Sequence, residues 1–108
     1  MKLEEIVIEA LNKAKAKDIV KYDLDGASPF FDSIFLATVT STRQASGVIS
    51  YLEDLISDTE YKIRNIEGEN TEWVLIDLND IVLSILTEKE RQHFELDKLY
   101  AIYKKRNV

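Results

Sequence analysis

Three groups of residues in this 108-residue chain could do chemistry, and they point in different directions. Asp23 and Asp25 lie two positions apart, so an extended backbone puts both carboxylates on one side, and Asp77 from a later segment could add a third. Such a set can hold Mg²⁺ for nucleotidyl transfer, provided something cradles the phosphates. No Gly-Ser pair stands upstream of Asp23, and Asp25-Gly26 is itself a turn signature that explains the second carboxylate without a metal. His93 lies between Gln92 and Phe94 in a polar helical stretch; as the only His in a chain without Cys, it has no partners for a zinc site and reads as a surface histidine. The third group is Trp73, Leu75, Asp77, Val82, Ser84 and Leu86. It mixes a large aromatic, a carboxylate and a hydroxyl with aliphatics, which suits a docking surface more than a dry core.

Charge narrows the choice of partner. With 14 Lys and Arg against 20 Asp and Glu the formal charge is −6, which repels phosphate backbones and anionic lipid and favours a basic partner. No apolar run approaches the ~20 residues that span a bilayer, and Met1-Lys2-Leu3-Glu4-Glu5 enters a helical pattern at once, so the expectation is a soluble, untargeted, cytoplasmic protein. The length suits one domain over residues 1–108, with no repeat and no linker.

The elements that must position these groups follow from periodicity. Leu3, Ile6, Val7, Ala10, Leu11 and Ala14 recur on one helical face and predict a first helix from Leu3 to Lys17. A short strand over Asp18–Leu24 stops at Asp25-Gly26, and Ile34–Val39, apolar on both sides, predicts a strand in mid-sheet. Ser41 with Gln44 fits a capping box opening a second helix over Thr42–Ser57, in which Gly47 implies a close backbone approach to the sheet. Strands are then predicted over Tyr61–Ile66, Glu72–Leu78 and Ile81–Leu86. Thr87 with Glu90 caps a turn through His93, and Asp97 caps a last helix carrying Leu99, Tyr100, Ile102 and Tyr103 and ending in Lys104-Lys105-Arg106.

Asn79-Asp80 suits a two-residue hairpin loop, which sets a register: Leu78 opposite Ile81, Ile76 opposite Leu83, Val74 opposite Ile85. Six aliphatic side chains then share one face. The other carries Trp73, Leu75, Asp77, Val82, Ser84 and Leu86, either open for docking or, for Trp73 and Leu86, covered by the C-terminal helix.

Three stretches carry a further resemblance: Ile66-Glu67-Gly68-Glu69-Asn70; Trp73-Val74-Leu75-Ile76-Asp77-Leu78-Asn79-Asp80-Ile81-Val82; and Arg91 with Phe94-Glu95-Leu96-Asp97-Lys98-Leu99-Tyr100. With Asp18-Ile19-Val20, Asp23, Asp32, Ala37-Thr38, Thr40-Ser41 and Arg43 upstream, their order and spacing resemble the ribosomal silencing factor family, also called Iojap-like proteins. The resemblance departs at Val39 and Asn79, where the family usually has Gly, at Gln44 and Ser84, where it usually has His, and at Phe94 and Tyr100, where it has Tyr and Trp.

That resemblance implies a small mixed sheet with flanking helices, distantly like a nucleotidyltransferase core that has lost its catalytic set, with no enzyme activity and no cofactor. It also implies binding to the fourteenth protein of the large ribosomal subunit, so that subunit joining is blocked and translation is silenced when nutrients are short. By position it assigns roles to Trp73, Asp77, Asp80, Arg91 and Glu95-Leu96. The expectation is therefore an α+β domain whose five-stranded mixed sheet is flanked by helices, in the order helix-strand-strand-helix-strand-strand-strand-helix. Its partner-binding set is Trp73, Asp77, Asp80, Ser84, Arg91, Leu75, Val82 and Leu86, with no direct nucleic acid contact required, no membrane, and a homodimer left open. The rivals are a small Mg²⁺-dependent nucleotidyltransferase using Asp23, Asp25 and Asp77, and a dimerisation scaffold unrelated to ribosomes.

Overall fold

A computed structural model describes residues 1–108. Helix α1 spans Leu3–Lys13; Glu5 accepts a hydrogen bond from the Lys2 backbone N–H at 2.8 Å and Glu4 and Glu5 occupy the first turn, where the helix dipole favours acid. It ends four residues earlier than expected because Lys15 turns into the left-handed region at φ 62° and feeds strand β1, Lys17–Asp23. Strand β2 covers Ser33–Val39 and helix α2 Thr42–Ile56, followed by β3 (Asn65–Glu67), β4 (Trp73–Asp77), β5 (Ile81–Thr87), α3 (Glu88–Phe94), α4 (Leu96–Leu99) and β6 (Lys104–Asn107).

The Ser41 hydroxyl caps α2 by accepting from the Gln44 N–H at 3.1 Å. The Gln44 amide does more than close a capping box: its Oε1 accepts from the Thr40 N–H at 2.7 Å and its Nε2 donates to the carbonyls of Ala14 and Lys15, both at 2.9 Å. The start of α2 is thereby bound to the end of α1, satisfying carbonyls that the helix end leaves unpaired. The expected close approach at Gly47 does not occur, since a Cβ there would meet nothing within 4 Å.

The sheet has the strand order β3-β4-β5-β2-β1-β6, mixed because β2 and β5 run parallel while every other pair is antiparallel. It has six strands instead of five. The expected last helix shrinks to the four residues of α4, and Lys104–Asn107 pairs along β1 with Lys105 opposite Tyr22. All four β6 residues are exposed, so no apolar alternation marked them as a strand, and lysines suit an edge that must not recruit another chain. β3 is likewise shorter than Tyr61–Ile66, pairing only over Asn65–Glu67.

Helices α1 and α2 cover one face of the sheet and form with it the main core of 20 buried residues, including Phe35, Ala37, Val39, Val74, Ile76, Leu78, Ile81, Leu83 and Ile85. All six aliphatics placed on one side by the hairpin register are among them. No helix is long and apolar enough to cross a membrane.

Candidate functional site

The second face of the sheet carries the mixed residues, and its strands are positioned by two turns. Between β3 and β4, Gly68 adopts φ +76°, and a Cβ there would collide with the Trp73 carbonyl, so the turn that delivers Trp73 needs glycine. The Thr71 hydroxyl fastens it, lying 2.6 Å from the Gly68 carbonyl and 3.0 Å from that of Trp73. Between β4 and β5, Leu78 N–H donates to the Ile81 carbonyl at 2.9 Å around Asn79-Asp80, with Asn79 at φ 78°. Asp77 holds this hairpin: its Oδ1 accepts from the Asn79 N–H at 2.9 Å and its Oδ2 lies 3.2 Å from Arg64 Nε, which reaches in from the segment before β3.

Cross-strand register turns the face into rows. One runs Glu67, Leu75, Ser84, Leu36, Val20; a second runs Asn65, Asp77, Val82, Ile34, Tyr22, Lys105; and Trp73 stands opposite Leu86. The C-terminal segment covers only part of them. Leu96 enters a small second core with Val20, Tyr22, Leu36 and Leu86, against which Trp73, Ile34, Tyr100 and Tyr103 pack. Leu86 and Ser84, 0% and 2% exposed, therefore lie beneath the face instead of on it, and Val82 at 9% is almost covered, since long neighbours on both flanking strands close over a central strand. Leu75 and Asp77 on β4 are half-buried, and Asp80 is exposed, with its carbonyl accepting from the Asp32 N–H at 2.7 Å.

Trp73 marks the border between the covered and open parts. It is half-buried, with its indole 4.8 Å from the Phe94 ring between centroids at a 48° tilt. Its Nε1 is the one buried side-chain nitrogen or oxygen with no hydrogen-bond partner. An unmade buried hydrogen bond of this kind costs about 1–3 kcal/mol. Phe94 is itself 46% exposed and carries His93 edge-on against it at 4.8 Å.

Arg91, expected on the partner surface, is committed inside the molecule. Its Nε and NH2 bind both oxygens of Asp97 at 2.8 and 2.9 Å, and its NH1 donates to the Asp18 carbonyl at 2.7 Å and the Thr38 hydroxyl at 3.0 Å. Asp97 also accepts from the Tyr22 hydroxyl at 2.8 Å, so it pins α4 to β1 instead of capping a helix. The hydrogen bonds from Arg91 hold the Asp97 carboxyl below the usual range against the opposing effect of burial, helped by the Tyr22 bond and by the charges of Arg91 and Lys105. The bond to Asp97 raises Arg91 further. Burial, then the Asp97 hydrogen bond, pushes the Tyr22 phenol up to about 12. Beside this junction opens a cleft of about 800 Å³ whose charged lining, with Asp18, Glu88, Lys98 and Lys105, mixes both signs.

The carboxylates of the nucleotidyl-transfer reading are not brought together. Asp23 faces the α1 side, where it lies 3.2 Å from Lys21, which also contacts Glu4 at 3.1 Å. Asp77 is on the opposite face, three strand spacings or about 14 Å across the sheet. Nowhere do three His, Asp or Glu side chains gather in a metal-holding group.

Two contributors escaped the sequence reading. Phe94 as a cover on the indole had no local signal, because the ring and the indole are 21 positions apart. The Tyr22–Asp97–Arg91 pin had no local signal either, because Tyr22 lies between Lys21 and Asp23 and Arg91 between Glu90 and Gln92, as solvated side chains do, and Tyr22 is 75 positions from Asp97.

Comparison with known proteins places this architecture. The family described as "Ribosomal silencing factor during starvation" matches residues 1–108. A Haemophilus influenzae protein named ribosomal silencing factor RsfS is 32% identical over 102 residues, covering 94% of this chain and all of that protein. A Bacillus subtilis protein of the same name is 27% identical over 97 residues, covering 89% and 82%. Among solved structures, a Chromobacterium violaceum protein superposes with a TM-score of 0.82 at 28% identity, covering 94% of this chain and 88% of that one. A Bacillus halodurans protein does so with 0.82 at 26%, covering 98% and 97%. With the whole chain matched in sequence and nearly the whole of it in fold, the protein belongs to the ribosomal silencing factor family.

Proposed function

We propose that this protein docks the open β3–β4 side of its second face onto the fourteenth protein of the large ribosomal subunit and so blocks the small subunit from joining, repressing translation in the cytoplasm when nutrients are short. The reading rests on one observation above all: the strip left uncovered by the C-terminal segment has a tryptophan at its border, an aliphatic at Leu75, and carboxylates at Glu67, Glu69, Asp77 and Asp80 around it. An aromatic anchor supplies buried contact area, and a ring of carboxylates steers a basic surface toward it. Asp77 and Asp80 sit at the end of a hairpin stiffened by the Arg64 and Asn79 bonds, so they meet the partner already ordered, which lowers the entropy lost on binding.

Within this reading Trp73, Leu75, Asp77 and Asp80 touch the partner, Val82, Ser84 and Leu86 form the floor that holds them at height, and Arg91 positions the C-terminal segment. Inhibition is steric, and none of these residues performs a chemical step. Gradient sedimentation of purified ribosomal subunits with and without the protein tests it. The expected result is co-migration with the large subunit and loss of the reassociated ribosome peak; migration of the protein at the top of the gradient with reassociation intact overturns it.

A further inference from the structure

The Trp73 indole combines two features that a settled core residue does not show together: its N–H is shut away from solvent with no acceptor, and the ring packed against it, Phe94, is nearly half exposed. Buried polar atoms are almost always paired, so an orphan at a candidate docking site calls for an explanation in function. The chain around Phe94 is built to yield. Arg91 is anchored by four hydrogen bonds and Leu96 is buried, but Gln92, His93, Phe94 and Glu95 between them are all exposed. Helix α3 buries no residue, and Glu95, directly after the ring, is held at φ 49° in the left-handed region that non-glycine residues avoid. A left-handed residue is a common way to end a helix, so α3 stops directly after the ring and no further turn of it packs over Phe94.

We propose that Phe94 is a displaceable cover on Trp73: as the ribosomal partner docks, the ring leaves the indole and a backbone carbonyl of the partner accepts the freed N–H. This rests on the docking reading above and adds to it a gate and a directional contact. A ring already half in water loses little on leaving, while the N–H gains the acceptor it lacks. A partner surface that is apolar but presents no acceptor at that point would displace the ring without that gain, so the N–H also discriminates among surfaces.

Trp73 is the chain's only tryptophan, so one indole resonance reports on it. The ¹⁵N-labelled full chain is titrated with the purified fourteenth large-subunit protein, while binding is measured in parallel for the wild type, Phe94→Ala and Trp73→Phe. The expected outcome is a downfield shift of the indole proton on binding, several-fold faster association for Phe94→Ala, and several-fold weaker binding for Trp73→Phe with its fold intact. A wild type that binds with an unmoved indole proton, or a Phe94→Ala variant that binds several-fold more weakly, overturns the cover and leaves the docking reading standing. A wild type that binds neither the isolated protein nor the large subunit overturns both.

Discussion

The two faces of the sheet are finished to different degrees. On one, α1 and α2 close over Phe35, Leu83 and their neighbours to make a 20-residue core with every apolar stripe met. On the other, a core of five residues is held under a short, pinned C-terminal segment, and the cover stops at Trp73. Stability comes mostly from the first face, because burial of apolar area is the dominant favourable term and most of that area is there. The second face spends polar pins to hold a small cover in place, and leaves β4 open. A sheet with one sealed face and one half-covered face can offer a binding strip without risking its fold.

Substitutions can break or sharpen this contrast. The largest effect is expected at Phe35→Ala, fully buried on the sealed face, at about 4 kcal/mol of stability read from the denaturant midpoint, while Leu75→Ala on the open strip costs less than about 1 kcal/mol. Next comes Arg91→Ala, which removes its hydrogen bonds to Asp97, Asp18 and Thr38 and releases the cover, at about 3 kcal/mol. The pin also shapes the pH profile. Because the folded state holds Asp97 below its ordinary value, its stabilisation is present above about pH 4 and is lost as pH falls through the lowered value; Asp97→Asn should remove that acid limb. Tyr22 runs the other way: raised to about 12, it favours the folded state below its ordinary value of about 10 and loses that contribution as pH climbs toward 12. Tyr22→Phe should flatten this alkaline limb in a chemical-denaturation series, though not wholly, since burial also raises Tyr100.

Smaller in free energy, but decisive for the open strip, is Trp73→Ala, expected to weaken large-subunit binding by about 2 kcal/mol in a pelleting titration while the protein stays folded. The smallest effect is expected at Gly47→Ala. With open space where the Cβ would go, the added methyl should raise stability by up to about 1 kcal/mol through helix propensity alone, visible as a modest rise in Tm.

Local pattern settled a large part of the fold. The helical stripes of α1 and α2, the Ser41 and Thr87 caps, the mid-sheet place of β2 and the hairpin register through Asn79-Asp80 were all legible, because each depends on residues a few positions apart. From that register came the division of β4 and β5 into an aliphatic face and a mixed one. What a few positions could not reveal went astray: β6 has no apolar alternation and exists through pairing with β1, more than 80 positions earlier, and α1 ends where Lys15 reverses the chain.

The amino-acid sequence by itself thus determined the elements and which side chains share a face, since period and turn chemistry are local properties, and the order and spacing of its motifs carried the resemblance to the family and, with it, the α+β class. Only the tertiary structure decided that Leu86 and Ser84 lie under that face, that Arg91 works inward on Asp97, and that Phe94 rests on Trp73. Those outcomes hang on how a distant segment packs, and packing is governed by the shapes and charges of residues the chain brings together only when it folds.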